Sequence, residues 1–328
     1  NKDKEGTIWI GSYGESLYKW NGNTLSQLVI EGNQKIGPIM SIRESKDGSV
    51  WMATYGKGII QLYQDKINFI DAKDGFSNEK VLDVLVDRYN RIWASTVGSG
   101  IQVFNDASVK NFNVNGFLGT NAINVLVVTK DNSILVGANG SGMVKMREVG
   151  QIGLESFWDV GSAFYDAMED RQGNVWIATD GYGLIKGSND EAIKYNIQSG
   201  LCSNVVTAIF EDRQHRIWMA FDNNKVAYIQ DESIFILPEY SAEARSAIRS
   251  FTEDEQGNIY WGVNDLGIVK CTLHESIPII EITGDQQGMP CRTFSDLTFW
   301  NGNLWMATEE GLVQWRNNQW SSVRHYLG

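Results

Sequence analysis

Short apolar runs broken by polar turns repeat along this chain at a fixed interval. The marker is an aromatic residue just beyond a turn, first met in Gly6-Thr7-Ile8-Trp9-Ile10. The same slot returns at Trp51, Trp93, Leu135, Trp176, Trp218, Tyr260 and Trp305, with gaps of 42, 42, 42, 41, 42, 42 and 45 residues. Three residues before it stand Gly6, Gly48, Asn90, Asn132, Gly173, His215, Gly257 and Gly302. Gly and Asn tolerate a left-handed backbone best, so this is a hairpin turn. Six residues before the marker lie Asp3, Asp87, Asp170, Asp212 and Asp254, placed to close an Asx turn at a strand end. Five residues after it come Gly14, Gly56, Gly98, Gly140 and Gly181, which predict a second turn.

Between the turns the residues alternate or run short, with β-branched and aromatic bias, so each unit predicts four short strands. In the second copy these are Ile39–Glu44, Ser49–Thr54, Gly58–Tyr63 and Lys66–Asp71. A four-stranded unit of about 42 residues is what a β-propeller blade needs, because one such sheet cannot bury both faces and must stack on its neighbours. The expected fold is therefore all-β, a single propeller domain over residues 1–328 built of eight repeats, the first lacking its inner strand. In the alternative, a seven-bladed ring, Thr293–Phe299 completes the first blade and Asn303–Val323 is surplus.

The fullest copy reads Asp170-Arg171-Gln172-Gly173-Asn174-Val175-Trp176-Ile177-Ala178-Thr179-Asp180-Gly181-Tyr182-Gly183-Leu184. Segments such as Gly200-Leu201-Cys202-Ser203-Asn204 and Asp74-Gly75-Phe76-Ser77-Asn78 precede other copies. Together these resemble the two-component regulator propeller repeat over essentially the whole chain. The resemblance implies a periplasmic sensor domain of a bacterial hybrid histidine kinase. Its membrane span and kinase would lie outside these residues, in a parent protein that is typically a dimer. Members of that family often recognise breakdown products of complex glycans. Departures are Leu135 in the Trp slot, the Phe221–Lys225 turn and the longer stretch before Trp305. The WD dipeptide occurs once, off the repeat frame, at Trp158-Asp159, which excludes a WD40 reading. A streptogramin lyase propeller is the enzymatic competitor.

Charge and composition narrow the partners. The 328 residues carry 40 acidic against 28 basic side chains, a net charge of −12, with no Lys/Arg run. That argues against nucleic acid and anionic membranes as partners, so membrane attachment would come only through parent segments. Cys202, Cys271 and Cys291 lack CxxC spacing, which supports neither a disulfide framework nor a zinc site. No stretch approaches the roughly 18 apolar residues of a membrane span, and no signal peptide opens the chain. This suits a soluble intracellular protein or an excised piece of a larger one.

Catalytic chemistry finds little support. Of the three histidines, His215 holds a turn slot, while His274 and His325 fall in predicted outer strands. A general base or zinc site needs convergent imidazoles or a His–carboxylate pair. The Asp-rich turns lack the spacing of a calcium loop, and no phosphate-binding glycine loop or nucleophile elbow appears. We expect no catalytic residues, no metal and no cofactor.

Topology supplies the candidate site. In a propeller the loops between second and third strands share a face with the loops that join blades, and ligands bind where such loops converge. That set contains Tyr13, Tyr55, Asp180, Tyr182, Asp222, Asp265, Arg245, Arg292 and Glu309, with Phe221, Asn78, Asn204 and Asn264 beside them. Rings next to carboxylates and guanidinium groups suit an oligosaccharide or other small ligand. The opposite face, with its Asp-x-x-Gly turns, looks regular and solvent-facing, and no site is expected there. Trp9, Trp51, Trp93, Trp176, Trp218 and Trp305 are expected between blades, as structural anchors. Trp20, Trp158, Trp261, Trp300, Trp315 and Trp320 lie outside the slot, where edge packing outweighs a role as sugar platforms. The resulting reading is a non-catalytic, ligand-sensing propeller. A protein-interaction scaffold is the first alternative and a lyase-type propeller the second.

Overall fold

The computed structural model describes residues 3–11, 17–22, 24–28, 36–105, 108–112, 120, 122–123, 125–138, 142–149, 151–159, 163–188, 191–240, 247–274, 277–284, 288–308 and 311–323. These residues form eight antiparallel sheets in chain order, seven of four strands and a first of three. Each sheet is a meander. The second holds Ile39–Glu44, Val50–Thr54, Ile59–Tyr63 and Lys66–Ile70, each within a residue of the bounds the sequence predicts. The first has Ile8–Gly11, Leu17–Trp20 and Leu25–Gln27, so it lacks the inner strand, as expected. Phe294–Trp300 pairs with Asn303–Thr308 inside the eighth sheet, which excludes the seven-bladed alternative. Helix is confined, among the described residues, to the single turns Ala72–Asp74 and Ile197–Ser199. The chain is all-β, a β-propeller of eight blades.

It divides into two compact units, one comprising Asn1–Gly161 and Leu327–Gly328, the other Ser162–Tyr326. Within the first, the inner strand Val81–Val86 lies against the inner strands Ile39–Glu44 and Val125–Val128 of its neighbours. Within the second, Val206–Glu211 lies beside Phe164–Glu169, and Phe294–Trp300 beside Phe251–Glu253. This is blade-on-blade stacking, and it explains the sequence pattern. The second strands Val50–Thr54, Ile92–Thr96, Val175–Thr179 and Ile217–Phe221 are buried on both faces, so they read as unbroken apolar runs. The outer strand Glu191–Tyr195 buries only its last residue and is mostly polar.

Each core lies between two blades. Trp9 packs with Ile39, Ile42 and Met52 of the second blade, and Trp51 with Val81 and Val84 of the third. Trp176 packs with Val206 and Met219 of the sixth, and Trp218 with Phe251 and Trp261 of the seventh. All six anchor tryptophans are buried. Trp261 is a core residue, Trp315 and Trp320 lie 4.5 Å apart, and Trp300 packs on Trp305. The side chain of Trp158 lies outside the described residues.

The hairpin before each anchor is built as its residues dictate. All eight turn positions, from Gly6 to Gly302, have φ between 63° and 89°, including the non-glycines Asn90, Asn132 and His215. Asp170 Oδ1 accepts the backbone N–H groups of Gln172 (2.9 Å) and Asn174 (2.8 Å) and so closes the turn. His274, expected in an outer strand, instead ends the third strand of its blade, Gly267–His274, because that strand runs longer than the repeat requires. His325 lies outside the described residues. The three cysteines are free thiols.

Candidate functional site

The loop between second and third strands is a rigid clamp with two open positions. In Thr179-Asp180-Gly181-Tyr182-Gly183 the threonine hydroxyl donates to the Gly183 carbonyl (2.7 Å) and accepts the Tyr182 N–H (3.0 Å). Thr54 makes the same pair of bonds around Tyr55-Gly56-Lys57-Gly58, and Thr96 around Val97-Gly98-Ser99-Gly100. The glycine N–H groups then grip the following blade. Gly181 and Gly183 both donate to the Asn204 carbonyl, at 2.9 and 2.7 Å, as Gly56 and Gly58 do to Glu79. Gly183 has no substitute, since a Cβ there would meet the Tyr195 carbonyl oxygen at 2.0 Å. Threonine and glycines fix the backbone; the residues between them are presented outward. These are Tyr55 and Lys57 on one blade and Asp180 and Tyr182 on another.

In the second unit this scaffold gathers an acidic, aromatic cluster. Tyr165 sits in the inner strand where the register shifts between Phe164 and Asp166, a bulge that opposes two residues to one. Tyr165 is 52% exposed. Its hydroxyl bonds to the Asp180 carboxylate, with Asp222 of the next blade close enough to act on it. Partial burial, then the charge of Asp180 and the hydrogen bond to it, then Asp222, push the phenol above its ordinary range. Carboxylates of two blades thus act on one phenol. The Lys194 ammonium lies 5.3 Å from the centroid of the Tyr182 ring.

Two of the expected site residues, Asp180 and Asp222, therefore act on the same phenol. Asp265 and Arg292 meet through their backbones, the Asp265 N–H donating to the Arg292 carbonyl at 2.8 Å. In the first unit Tyr55 is exposed and has the Lys80 ammonium 5.2 Å from its ring centroid. Tyr13, Arg245 and Glu309 lie outside the described residues. Three neighbours named with the set are structural instead. Phe221 is fully buried between the fifth and sixth blades. The Asn204 amide oxygen accepts the Ile197 N–H, and that of Asn264 accepts the Phe294 N–H. Tyr165 was missed, because a strict two-residue alternation treats the inner strand as uniform; the signal is the bulge, one residue more than the partner strand can match.

Titratable groups of the inner strands lie nearby. Asp166 accepts the N–H of Ile209 from the next blade at 3.1 Å, and burial pushes its carboxyl up to about 6. In the first unit burial likewise raises Asp83, which accepts the Ser41 hydroxyl at 2.6 Å. Among the described residues no group of three or more His, Cys, Asp or Glu is arranged to hold a metal ion.

The sequence matches the Two component regulator propeller family over residues 160–181 and 200–223, the segments that contain Tyr165, Asp180 and Asp222. Two segments of the chain thus match the two-component regulator propeller repeat. Solved structures agree on the fold. The extracellular domain of the hybrid two component system BT3049 from B. thetaiotaomicron aligns at 18% identity and TM-score 0.55, over 98% of this chain and 45% of that one. This propeller thus spans about half the length of that domain. Virginiamycin B lyase from Staphylococcus aureus aligns at 15% identity and TM-score 0.60, over 84% of this chain and 93% of the lyase. PorZ, a surface component of the type-IX secretion system of Porphyromonas gingivalis, aligns at 12% and 0.61, over 94% and 45%. Identities this low establish shared fold alone. No curated protein matches the chain.

Proposed function

We propose that this two-component regulator propeller is the ligand-sensing part of an extracytoplasmic sensor, and that its loop face binds an oligosaccharide without chemical turnover. One observation carries the reading: Tyr165, Asp180 and Asp222 form a ring-and-carboxylate cluster inside the matched repeats. Apolar sugar faces stack on exposed rings, and hydroxyls donate to carboxylates. The clamp beneath Asp180 is fixed by Thr179 and Gly183. Signalling follows as population shift, in which ligand favours one arrangement of the propeller relative to its neighbouring domains. The likeness to an extracellular two-component domain is the support for an extracytoplasmic location.

A lyase reading draws only on shared fold. Among the described residues His215 lies in a turn on the opposite face, paired with Glu211 at 3.0 Å, and His274 ends a third strand. Neither belongs to the strand bulge that holds Tyr165 or to the loops of Asp180 and Asp222. A scaffold reading draws on the exposed Ile277 and Ile279 of the outer strand Ile277–Thr283. Calorimetric titration with a panel of neutral oligosaccharides separates the readings. Saturable binding that is lost in Asp180→Asn with Asp222→Asn supports sensing at this face; binding unaffected by that pair sinks it.

A further inference from the structure

The face opposite the loops carries its own pattern. Directly after the turn-closing position stand Lys4, Lys46, Arg88, Lys130, Arg171 and Arg213, a cation in six of the eight repeats. Forty residues further on, the last residue of the following inner strand answers it. Lys4 donates its backbone N–H to Glu44 Oε2 at 2.7 Å and holds its ammonium 3.7 Å from the same carboxylate. Arg171 does the same with Glu211, and Arg213 with Glu253, the backbone bonds being 2.9 and 3.0 Å. In these three pairs a charge on one blade is neutralised by its neighbour.

Two pairs of the first unit break the rule. The positions that answer Lys46 and Arg88 are Val86 and Val128. The backbone N–H groups of Lys46 and Arg88 donate instead to neutral amides, Asn90 Oδ1 at 3.1 Å and Asn132 Oδ1 at 2.8 Å. The Lys46 ammonium donates to the Arg88 carbonyl at 2.6 Å, and the Arg88 guanidinium to the Tyr89 hydroxyl at 2.7 Å. A cleft of about 270 Å³ opens at this place, lined by Glu44, Lys46, Asp87, Arg88, Val128 and Lys130 among others. Its two carboxylates are already engaged, Glu44 by Lys4 and the buried Asp87 by Arg91 and the Trp93 indole. Lys46 and Arg88 thus share one cleft with valines at the positions that carry glutamate at the other pairs.

We propose that this cleft is an anion site for a phosphate or sulfate group, held by Lys46 and Arg88, with Val86 and Val128 as an apolar wall for what the group is attached to. A tetrahedral oxyanion supplies the negative charge that Glu supplies at the other blade pairs, and an Arg fork with a Lys point charge suits it. The site is separate from the loop face and stands or falls independently of the oligosaccharide reading.

The test uses inorganic phosphate at pH 8, with sulfate as a second arm and sodium chloride at matched ionic strength as the reference. Wild type should show saturable heat and a rise in thermal midpoint of about 2–4 °C at tenfold excess over Kd. Val128→Glu, at an exposed position, restores the carboxylate present at other blade pairs and should weaken Kd at least tenfold. Arg88→Gln and Lys46→Gln, both on the surface, should each do the same with the unliganded midpoint unchanged. Response to phosphate but not sulfate assigns a phosphate site, and the reverse a sulfate site. The proposal is overturned if neither anion exceeds chloride. It is equally overturned if the midpoint rises as much in Val128→Glu and Arg88→Gln as in wild type, the mark of general salt exclusion.

Discussion

The indole N–H of Trp176 donates to Asp170 Oδ2 at 2.7 Å, so the aspartate that closes the hairpin also anchors the ring between blades. Trp93 and Asp87, Trp218 and Asp212, and Trp9 and Asp3 repeat the bond at 3.0, 2.7 and 2.8 Å. Where the slot holds Tyr260, its hydroxyl reaches Asp254 at 3.0 Å. Where Ser45 replaces the aspartate, the Trp51 indole bonds to the serine hydroxyl at 3.1 Å. A single buried carboxylate therefore couples turn geometry to blade packing. Burial alone would raise the Asp170 carboxyl, but bonds from Trp176, the Asn174 side chain and the turn amides hold it below its ordinary value.

Removing that carboxylate should cost more than trimming the ring. Asp212→Ala strands the Trp218 indole N–H, two turn amides and the buried Arg216 guanidinium, which bonds to the same carboxylate. Loss of a buried, hydrogen-bonded charge costs about 3–5 kcal/mol. Trp218→Phe keeps most of the packing and should cost about 1–2 kcal/mol. Trp176→Ala, which opens a cavity between blades, should cost about 3–5 kcal/mol. Urea unfolding of the three variants measures the order; a tolerated Asp212→Ala would show the carboxylate is not the coupling.

The two kinds of glycine in the loop face should respond differently to alanine. Gly98, at φ 93° with nothing within 4 Å of a Cβ, meets only backbone strain, about 1–2 kcal/mol. Gly183, at φ 82° and against the Tyr195 carbonyl, meets strain and collision together and should lose at least about 3 kcal/mol. Thermal unfolding of Gly98→Ala and Gly183→Ala side by side checks the ranking.

Much of this was legible in the sequence because local chemistry repeats. Gly, Asn or His at one offset from the anchor announces the left-handed turn, and in the second blade strand bounds follow within a residue. The Asp was legible as a turn closer but not as the indole's partner, since a spacing of six residues across a hairpin says nothing of which side chains meet. Tyr165 was hidden for a related reason: a bulge changes facing without changing composition. Phe221 misled in the opposite direction. A residue at the end of a second strand looks exposed by topology, yet the neighbouring blade covers it, and only the stacking of sheets reveals that.

Acid should stabilise the region around Asp166. Its side chain accepts N–H groups from Ile209 and Ala167, and Asp296 lies near enough to add to the upward shift that burial causes. The folded value, about 6, lies above the unfolded value near 3.9. The group therefore favours folding fully below pH 4, and that advantage is lost as pH rises through 6. Asp166→Asn keeps an acceptor without the charge. It should match wild type at pH 4 and exceed it at pH 8, by at most about 3 kcal/mol. Melting curves at the two pH values give the comparison; a variant less stable than wild type at pH 8 would show that the ionised form is the one favoured.

The loop face yields the last prediction. If Tyr165 presents ligand with a ring oriented by Asp180, the hydroxyl and the ring should be separable. Tyr165→Phe keeps the stacking surface and loses only the bond to Asp180, so oligosaccharide affinity should fall about three- to tenfold, the worth of one hydrogen bond near 1 kcal/mol. Tyr165→Ala removes the ring and should abolish measurable binding, while the exposed position leaves the melting midpoint within a degree or two. Tyr182→Ala should weaken binding less than Tyr165→Ala does, because its ring stands on the Asp180 clamp and not in the bulge. Calorimetric titration, with melts of each variant as the folding control, reads all of this. Equal affinity in Tyr165→Ala and wild type would place the ligand elsewhere, and the loop face would then be scaffold alone.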